Sequence, residues 1–455
     1  MKTTTRTAAL GLLVGLACAA SQEGGSPAAR VRALAEAGRV REAEAAARAG
    51  GASLAVPLGE VLALTGRLAA ADSAFSAAVR AGSTDRRTAE AALAELSARR
   101  GDAAAAERRA DALIGAYERD ATGWTAEDHT AAGRAYVVLG ANDPQAFKAA
   151  LRAFDAAVAL DSTAVEPRIR LGDLFLGKYN APDARASYRD ALKIAPNHPR
   201  ALLGLARVLS FEGNPEATAA LRASLAANPA LAPAHVLLGR LYLDAEAYDS
   251  SAAEAGRALS VDSASIEAWA LLGATALLSG DSAGFSRARA QVAAVHPRPA
   301  VFYSEIAEAA ARHRRYAEAA RLGREGVELD STVAPALGVL GINQLRLGYI
   351  DGGRALLEKA FARDPYHIWY KNTLDLLDEL RTFKTVETRR FRIVAPAEEA
   401  DLLAMYLGPL LEEAYDSLAA RYQYHPPTPV RLELYRRHAD FSVRTVGLTG
   451  LGALG

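Results

Sequence analysis

The 455-residue chain carries one cysteine, Cys18, so it builds no disulfide framework and no thiolate metal cluster. Aromatic residues make up only 7%, and lysine supplies just 7 of the 53 basic side chains. Acidic residues also number 53, which leaves no basic excess for phosphate and excludes nucleic acid as the main partner. Histidine is sparse: the nearest two, His425 and His438, are 13 apart, so no helix presents a zinc-binding pair. There is no phosphate-binding Gly-Lys-Ser/Thr loop and no serine-centred nucleophile elbow. The neighbouring acids Glu398-Glu399 and Glu412-Glu413 point apart on a helix and read as solvated surface. The sequence therefore offers no catalytic residue and no metal ligand set. What it has in abundance is alanine, 105 residues, within an apolar fraction of 51%. That fraction is ample for a packed core and excludes a disordered chain. Alanine favours helices and lets them pack closely, although a GC-rich genome would produce the same bias.

The N-terminus reads as an address. Lys2 and Arg6 precede an uncharged apolar run, Ala8 to Ala17, too short to span a bilayer as a mature helix. It ends in Gly15-Leu16-Ala17-Cys18, which resembles the bacterial lipobox, with Gly15 at the place where leucine is more usual. The resemblance implies a signal peptide over 1–18, a flexible tether over 19–27 and lipidation of Cys18. The protein would then be exported and lipid-anchored in the cell envelope, at the periplasmic or outer face of a bacterial membrane. The competing reading is an ordinary secretory leader with a coincidental cysteine.

A 34-residue period follows. Leu171-Gly172 precedes Phe175, Ala184, Tyr188, Ala191 and Pro196; Leu205-Ala206 precedes Leu209, Ala217, Leu221 and Pro229. The register continues through Leu238-Gly239, Leu272-Gly273, Ile306-Ala307 and Leu340-Gly341. Upstream, Gly133 lies 39 residues before Gly172, so that unit carries five extra residues. Leu58-Gly59 and Leu93-Ala94 open earlier units, and Leu34 to Ala46 reads as half of one more. This pattern resembles the tetratricopeptide repeat, W-x2-L-G-x2-Y, then A-x3-F-x2-A, then P. Glycines such as Gly172, Gly239 and Gly273 would let paired helices approach, while Phe175, Tyr188, Tyr242 and Trp269 would fill the groove between them. Prolines at 196, 229, 297 and 365 would end second helices. The Asp-Ser pairs at 161, 262 and 330 would end one helix and cap the next.

The resemblance implies a mostly α fold: an α–α superhelical solenoid over 28–365, of about eight to nine units, followed by a capping helix over 366–382. It also implies protein or peptide binding on a concave inner face. Arg207 and Arg240 directly follow the Leu-Ala and Leu-Gly pairs of successive units. They are the candidate partner-binding residues, suited to hold a carboxylate; solvated surface arginines are the alternative. Leu176, Leu243 and Leu277 are expected to make the neighbouring inward positions apolar.

From 383 to 455 the pattern changes. Phe383 to Thr388 and Arg390 to Val394 alternate like strands, and Val430 to Tyr435 does the same. Between them Glu398 to Arg421 reads as a helix with Leu403, Leu407, Leu411, Tyr415 and Leu418 on one face. Arg437 to Val443 suits a short helix. This small α/β unit resembles the opening of a gluzincin (peptidase MA-like) metallopeptidase domain through Phe391-Arg392-Ile393, Glu413-Ala414-Tyr415 and Val430-Arg431-Leu432. The family's HExxH motif is absent, so zinc would be a cofactor only of a catalytic half beyond Gly455. The unit is expected to be incomplete, with a small accessory domain ending in a mobile tail as the alternative. Two functions follow. The first is an envelope-anchored, non-catalytic scaffold with a protein or peptide ligand in its groove, held to the membrane by its lipid. The second is the substrate-recruiting part of a repeat-containing zinc metallopeptidase.

Overall fold

A computed structural model describes residues 25–140 and 143–449. The chain divides into two compact units, Met1–Val339 and Leu340–Gly455. The division falls inside the helix Ala334–Arg346. The fold is mostly α: stacked helices in pairs, then a three-stranded mixed sheet with helices.

Among its described residues the first unit holds nine helical pairs. They are Pro27–Glu36 with Val40–Ala49, Ala55–Leu64 with Leu68–Arg80, Arg86–Arg99 with Ala103–Arg119, Ala126–Leu139 with Ala146–Leu160, and Glu166–Gly177 with Ala181–Ile194. Then come Pro199–Phe211 with Ala217–Ala227, Ala232–Asp244 with Tyr248–Val261, Ile266–Ser279 with Ser282–Val295, and Ala300–Arg312 with Tyr316–Leu329. A tenth pair begins at Ala334. The stretch that reads as half a unit, Leu34 to Ala46, belongs to a complete pair of ten-residue helices.

Three pairs close on a small residue facing a large one, whereas Gly239 and Gly273 come closest to Leu271 and Ile306 of the following pair. A methyl group on Gly59, Gly133 or Gly172 would lie 2.6, 2.4 or 2.5 Å from the rings of Phe75, Phe154 and Tyr188. Those three rings are fully buried, on second helices. Phe175, Tyr242 and Trp269, expected to fill the same grooves, are only half-buried, because they sit on first helices nearer the surface. Alanines at the matching close approach, Ala71, Ala150, Ala184 and Ala319, are completely buried. The Asp-Ser pairs act differently from expectation. Asp161, Asp262 and Asp330 occupy the C-terminal cap of the preceding helix in extended backbone. Their carboxylates accept from the amide two residues on, at 2.8, 3.1 and 3.0 Å. They shape the turn between pairs and do not cap the next helix, since an Asp side chain in this geometry reaches only its own turn.

The first unit also coils far enough to touch itself. The turn at Gly38 meets Asn228-Pro229-Ala230, the turn at Gly66 meets Asp262-Ser263-Ala264, and the turn at Gly101 meets the ring of His296. Hydrogen bonds tie this seam. Asn228 Nδ2 donates across it to the Ala35 carbonyl at 3.3 Å, and Arg99 donates across it to Asp262 Oδ2 at 2.8 Å and, on its own side, to the Ala63 carbonyl at 3.0 Å. His198 Nε2 lies 3.4 Å from Glu36 Oε1. The three glycines have positive φ, between +71° and +75°. That geometry alone does not demand glycine, because Tyr179, Glu246 and Arg314 adopt φ near +60° at equivalent turns. Close approach demands it: a methyl group on Gly66 would stand 2.5 Å from Asp262 Oδ1 and 2.9 Å from the Ala264 amide.

In the second unit, β1 (Phe383–Glu387) pairs antiparallel with β2 (Phe391–Pro396), Val386 opposite Ile393. β2 pairs parallel with β3 (Val430–Glu433), Ile393 opposite Leu432. Parallel neighbours need a crossover, supplied by the helix Ala397–Tyr422, which lays Ala404, Leu407, Leu411 and Tyr415 on Phe391 and Ile393. Leu418, expected on this face, is 52% exposed, and Ala419 is buried instead. A 26-residue helix is roughly 39 Å long and a six-residue strand about 20 Å. The helix therefore outlasts the sheet, and its contact line keeps the step of four from Leu407, Leu411 and Tyr415 to Ala419, which leaves Leu418, three residues after Tyr415, off the line.

Candidate partner-binding cavity

One residue per first helix is fixed by the small contact before it. Gly59, Ala94 and Gly133 face into their pairs, so the next residues, Glu60, Glu95 and Arg134, turn to the opposite, inner wall. With Arg32, Glu166, Arg170 and Arg200 they line a cavity of about 650 Å³. Val31, Val61, Leu64 and Leu231 supply apolar lining, and seam residues Ala35, Glu36, Ala63, Arg99 and Asn228 form part of the same wall.

The charged side chains form a ladder of alternating sign. Arg134 holds Glu95 through two bonds of 3.0 and 2.6 Å. Arg170 reaches Glu95 at 3.3 Å and Glu166 at 2.8 Å, and Arg200 reaches the other Glu166 oxygen at 2.7 Å. Burial pushes the Glu95 carboxyl up, but Arg134 and Arg170 outweigh it and hold it at about 2. Glu166 is likewise driven well below the usual carboxylate range, burial opposing and Arg200 and Arg170 prevailing. At the other end of the wall the balance reverses. Arg32 bonds Glu60 at 3.0 Å while Asp85 and Glu127 stand 3.8 and 3.9 Å away. One guanidinium divided among three carboxylates does not offset the burial of Glu60, whose carboxyl is raised.

Arg207 and Arg240 occupy the same place in their helices as Glu60, Glu95 and Arg134, directly after Ala206 and Gly239. Neither lines the cavity. Arg207 is exposed and makes no ion pair with a described residue. Arg240 is bound to Glu305 at 2.5 Å. Leu243, expected on the wall, is 1% exposed within the core; Leu176 and Leu277 are half-buried. Cys18 and the leader lie outside the described residues. Sequence reasoning missed the ladder: the residue after the small contact gives Glu60, Glu95 and Arg134 in three successive units, but in the next ones it gives Asp173, Arg207 and Arg240, none of which lines the cavity. Among the described residues no group of three His, Cys, Asp or Glu could hold a metal ion, and no helix is long and apolar enough to cross a membrane.

No family model and no curated protein matches the chain. Among solved structures it is similar to yeast Tom70, at 12% identity and a TM-score of 0.40, over 78% of this chain and 88% of that one. It is also similar to PilF of Pseudomonas aeruginosa, at 19% identity and a TM-score of 0.31, over 47% of this chain and 98% of that one. A third is the APC/C hetero-tetramer Cut9–Hcn1, at 12% identity and a TM-score of 0.37, over 72% of this chain and 76% of that one. These are likenesses of fold. The paired helices at a 34-residue step define a tetratricopeptide-like helical repeat protein.

Proposed function

We propose that this protein is an envelope-anchored scaffold that binds partner polypeptides on the inner wall of its first unit and performs no chemistry with the residues of this chain. The cavity carries the reading: about 650 Å³, apolar patches beside oriented charges, built from residues of six successive pairs. A solenoid that turns a continuous wall inward offers one partner several anchoring points at once. Anchoring rests on the lipobox-like Gly15-Leu16-Ala17-Cys18. Two experiments test the two parts. Affinity capture with the full chain should recover a polypeptide that is lost with Arg134→Glu/Arg170→Glu; equal recovery by both would sink the binding site. Cys18→Ser should abolish acylation and release the protein from the membrane fraction.

A second reading makes the chain the substrate-recruiting part of a zinc metallopeptidase. The observation in its favour is the β2–helix–β3 crossover with parallel pairing, the strand–helix–strand order that such a domain opens with. Zinc content of the product of the complete reading frame tests it: stoichiometric zinc supports the enzyme, and its absence removes this reading.

A further inference from the structure

The helix Ala397–Tyr422 of the second unit has two apolar faces. Its inner face lies on the sheet through Ala404, Leu407, Leu411 and Tyr415. Its outer face carries Leu402, Met405, Tyr406, Pro409 and Leu410, spaced i, i+3, i+4, i+7 and i+8, the spacing of a stripe that packs. This second stripe is bare: Leu402 is 56%, Met405 61%, Tyr406 69% and Leu410 59% exposed. Sixteen large apolar side chains are exposed among the described residues, and these four crowd into nine positions, 402–410. Apolar surface scattered singly is ordinary, whereas a contiguous patch rimmed by charge marks an interaction site.

Charge selects the occupant. The stripe continues into Glu413, which is exposed and pairs with no cation among the described residues. Asp401 and Asp416 stand at its two ends, engaged by Lys384 and Arg390, each at 2.6 Å. Pro409 has no N–H to donate to the Met405 carbonyl one turn earlier, which leaves that acceptor open on the same face. No cation lies between 402 and 413. A second copy meets like charge in either direction: antiparallel about Tyr406 it sets Glu413 against Glu399, and parallel it sets Glu413 against Glu413. A bilayer surface suits the face poorly, because helices that lie in one carry lysine and arginine along their polar side. A convex helical ridge packs best into the grooves of another helix. From Leu402 to Glu413 the stripe is about 17 Å long, which matches three to four turns of a partner.

We infer that the outer face of this helix docks a basic amphipathic helix of another protein, its apolar side on Leu402, Tyr406 and Leu410 and a lysine or arginine on Glu413 and the Met405 carbonyl. The surface belongs to the second unit and is independent of polypeptide binding on the inner wall of the first.

The test uses the full chain carrying Cys18→Ser, so that no lipid on that residue contributes. The probes are two synthetic helical peptides of about eighteen residues, long enough to span the stripe and both flanks. Both carry leucine at the stripe positions; one is flanked by lysine and arginine, the other by glutamate. Met1 and Met405 are the only methionines, so isotope-labelled methionine methyls report the face directly. The basic peptide should shift the Met405 resonance and bind at least tenfold more tightly than the acidic one. Tyr406→Ser should weaken it at least tenfold, and Glu413→Lys should reverse the preference between the two peptides. Both replaced side chains are exposed, and an unchanged circular dichroism spectrum checks that the variants fold. Arg134→Glu/Arg170→Glu, on the inner wall, should leave both affinities unchanged. Equal affinity for the two peptides, binding that survives both substitutions on the face, or no shift at Met405 overturns the proposal. Self-association abolished by Tyr406→Ser would assign the face to a second copy instead. Binding to phosphatidylethanolamine–phosphatidylglycerol vesicles abolished by the same change would assign it to the bilayer.

Discussion

Arg99 and Asp262 are 163 residues apart in sequence and 2.8 Å apart in space, and their bond closes the first unit on itself. Burial raises the Asp262 carboxyl, with Arg99 and the Ala264 amide opposing. Arg99→Ala removes the countercharge and leaves a mostly buried carboxylate with one amide partner. A loss of about 1–3 kcal/mol is expected at pH 7, read as a lower melting temperature. Asp262→Asn should cost less, because it removes the unfavourable charge together with the bond. Equal losses for the two would show that the charge of Asp262 is immaterial.

The glycines separate two roles that composition merges. Gly172→Ala drives a methyl group to 2.5 Å from the Tyr188 ring, which is fully buried and donates to Asp173 at 2.7 Å. Overpacking of this kind costs about 1–3 kcal/mol. Gly115 lies inside the helix Ala103–Arg119 with nothing within 4 Å. Gly115→Ala should stabilise by about 0.5–1 kcal/mol, the ordinary helix preference. Urea denaturation of both variants checks the opposite signs.

Arg170 should set the titration of its neighbours. With Arg170→Met, Glu95 keeps Arg134 and Glu166 keeps Arg200, but each loses one of two cations. The carboxyl resonance of Glu95, with a midpoint of about 2 in the wild type, should move up toward its ordinary 4.5. Arg170→Lys should restore it only in part, because one ammonium cannot serve two carboxylates with fixed forked geometry.

In the second unit Glu433 provides a pH test. Burial alone would raise its carboxyl, but Arg444 at 2.6 Å, together with Tyr435 and Arg431, holds it at about 2. A depressed carboxyl stabilises the folded state fully above its unfolded value of 4.5, and the contribution is lost as pH falls toward 2. Glu433→Gln should remove about 3 kcal/mol at pH 7 and flatten the stability profile between pH 4.5 and 2. Amide exchange in β2 and β3, measured at several pH values, reports it.

The repeat was legible because its signals are local. A glycine seven residues into a helix and an aromatic sixteen further on meet within one pair, as Gly172 and Tyr188 do. The inner wall was legible only in part: the residue after the small contact gives Glu60, Glu95 and Arg134, but it also gives Arg207 and Arg240, which do not line the cavity, and it passes over Glu166, Arg170 and Arg200. The seam was not legible. It depends on the rotation accumulated over several pairs, to which a 34-residue pattern is blind. Its one trace is glycine at 38, 66 and 101, where Tyr179, Glu246 and Arg314 show that the turn itself tolerates side chains. In the second unit the strands were visible by alternation, whereas Leu418 was misplaced because it lies three residues after Tyr415 and the contact line steps by four, to Ala419.

Repeat arrays ordinarily gain and lose units freely, since each touches only its neighbours. Here three turns must land together on three others, about 195 residues later in the case of Gly66 and Gly101. One unit added or removed between Gly101 and Asn228 would shift every landing point at once. The closed coil therefore counts its own repeats: between those residues the number of units is set by where the turns have to meet.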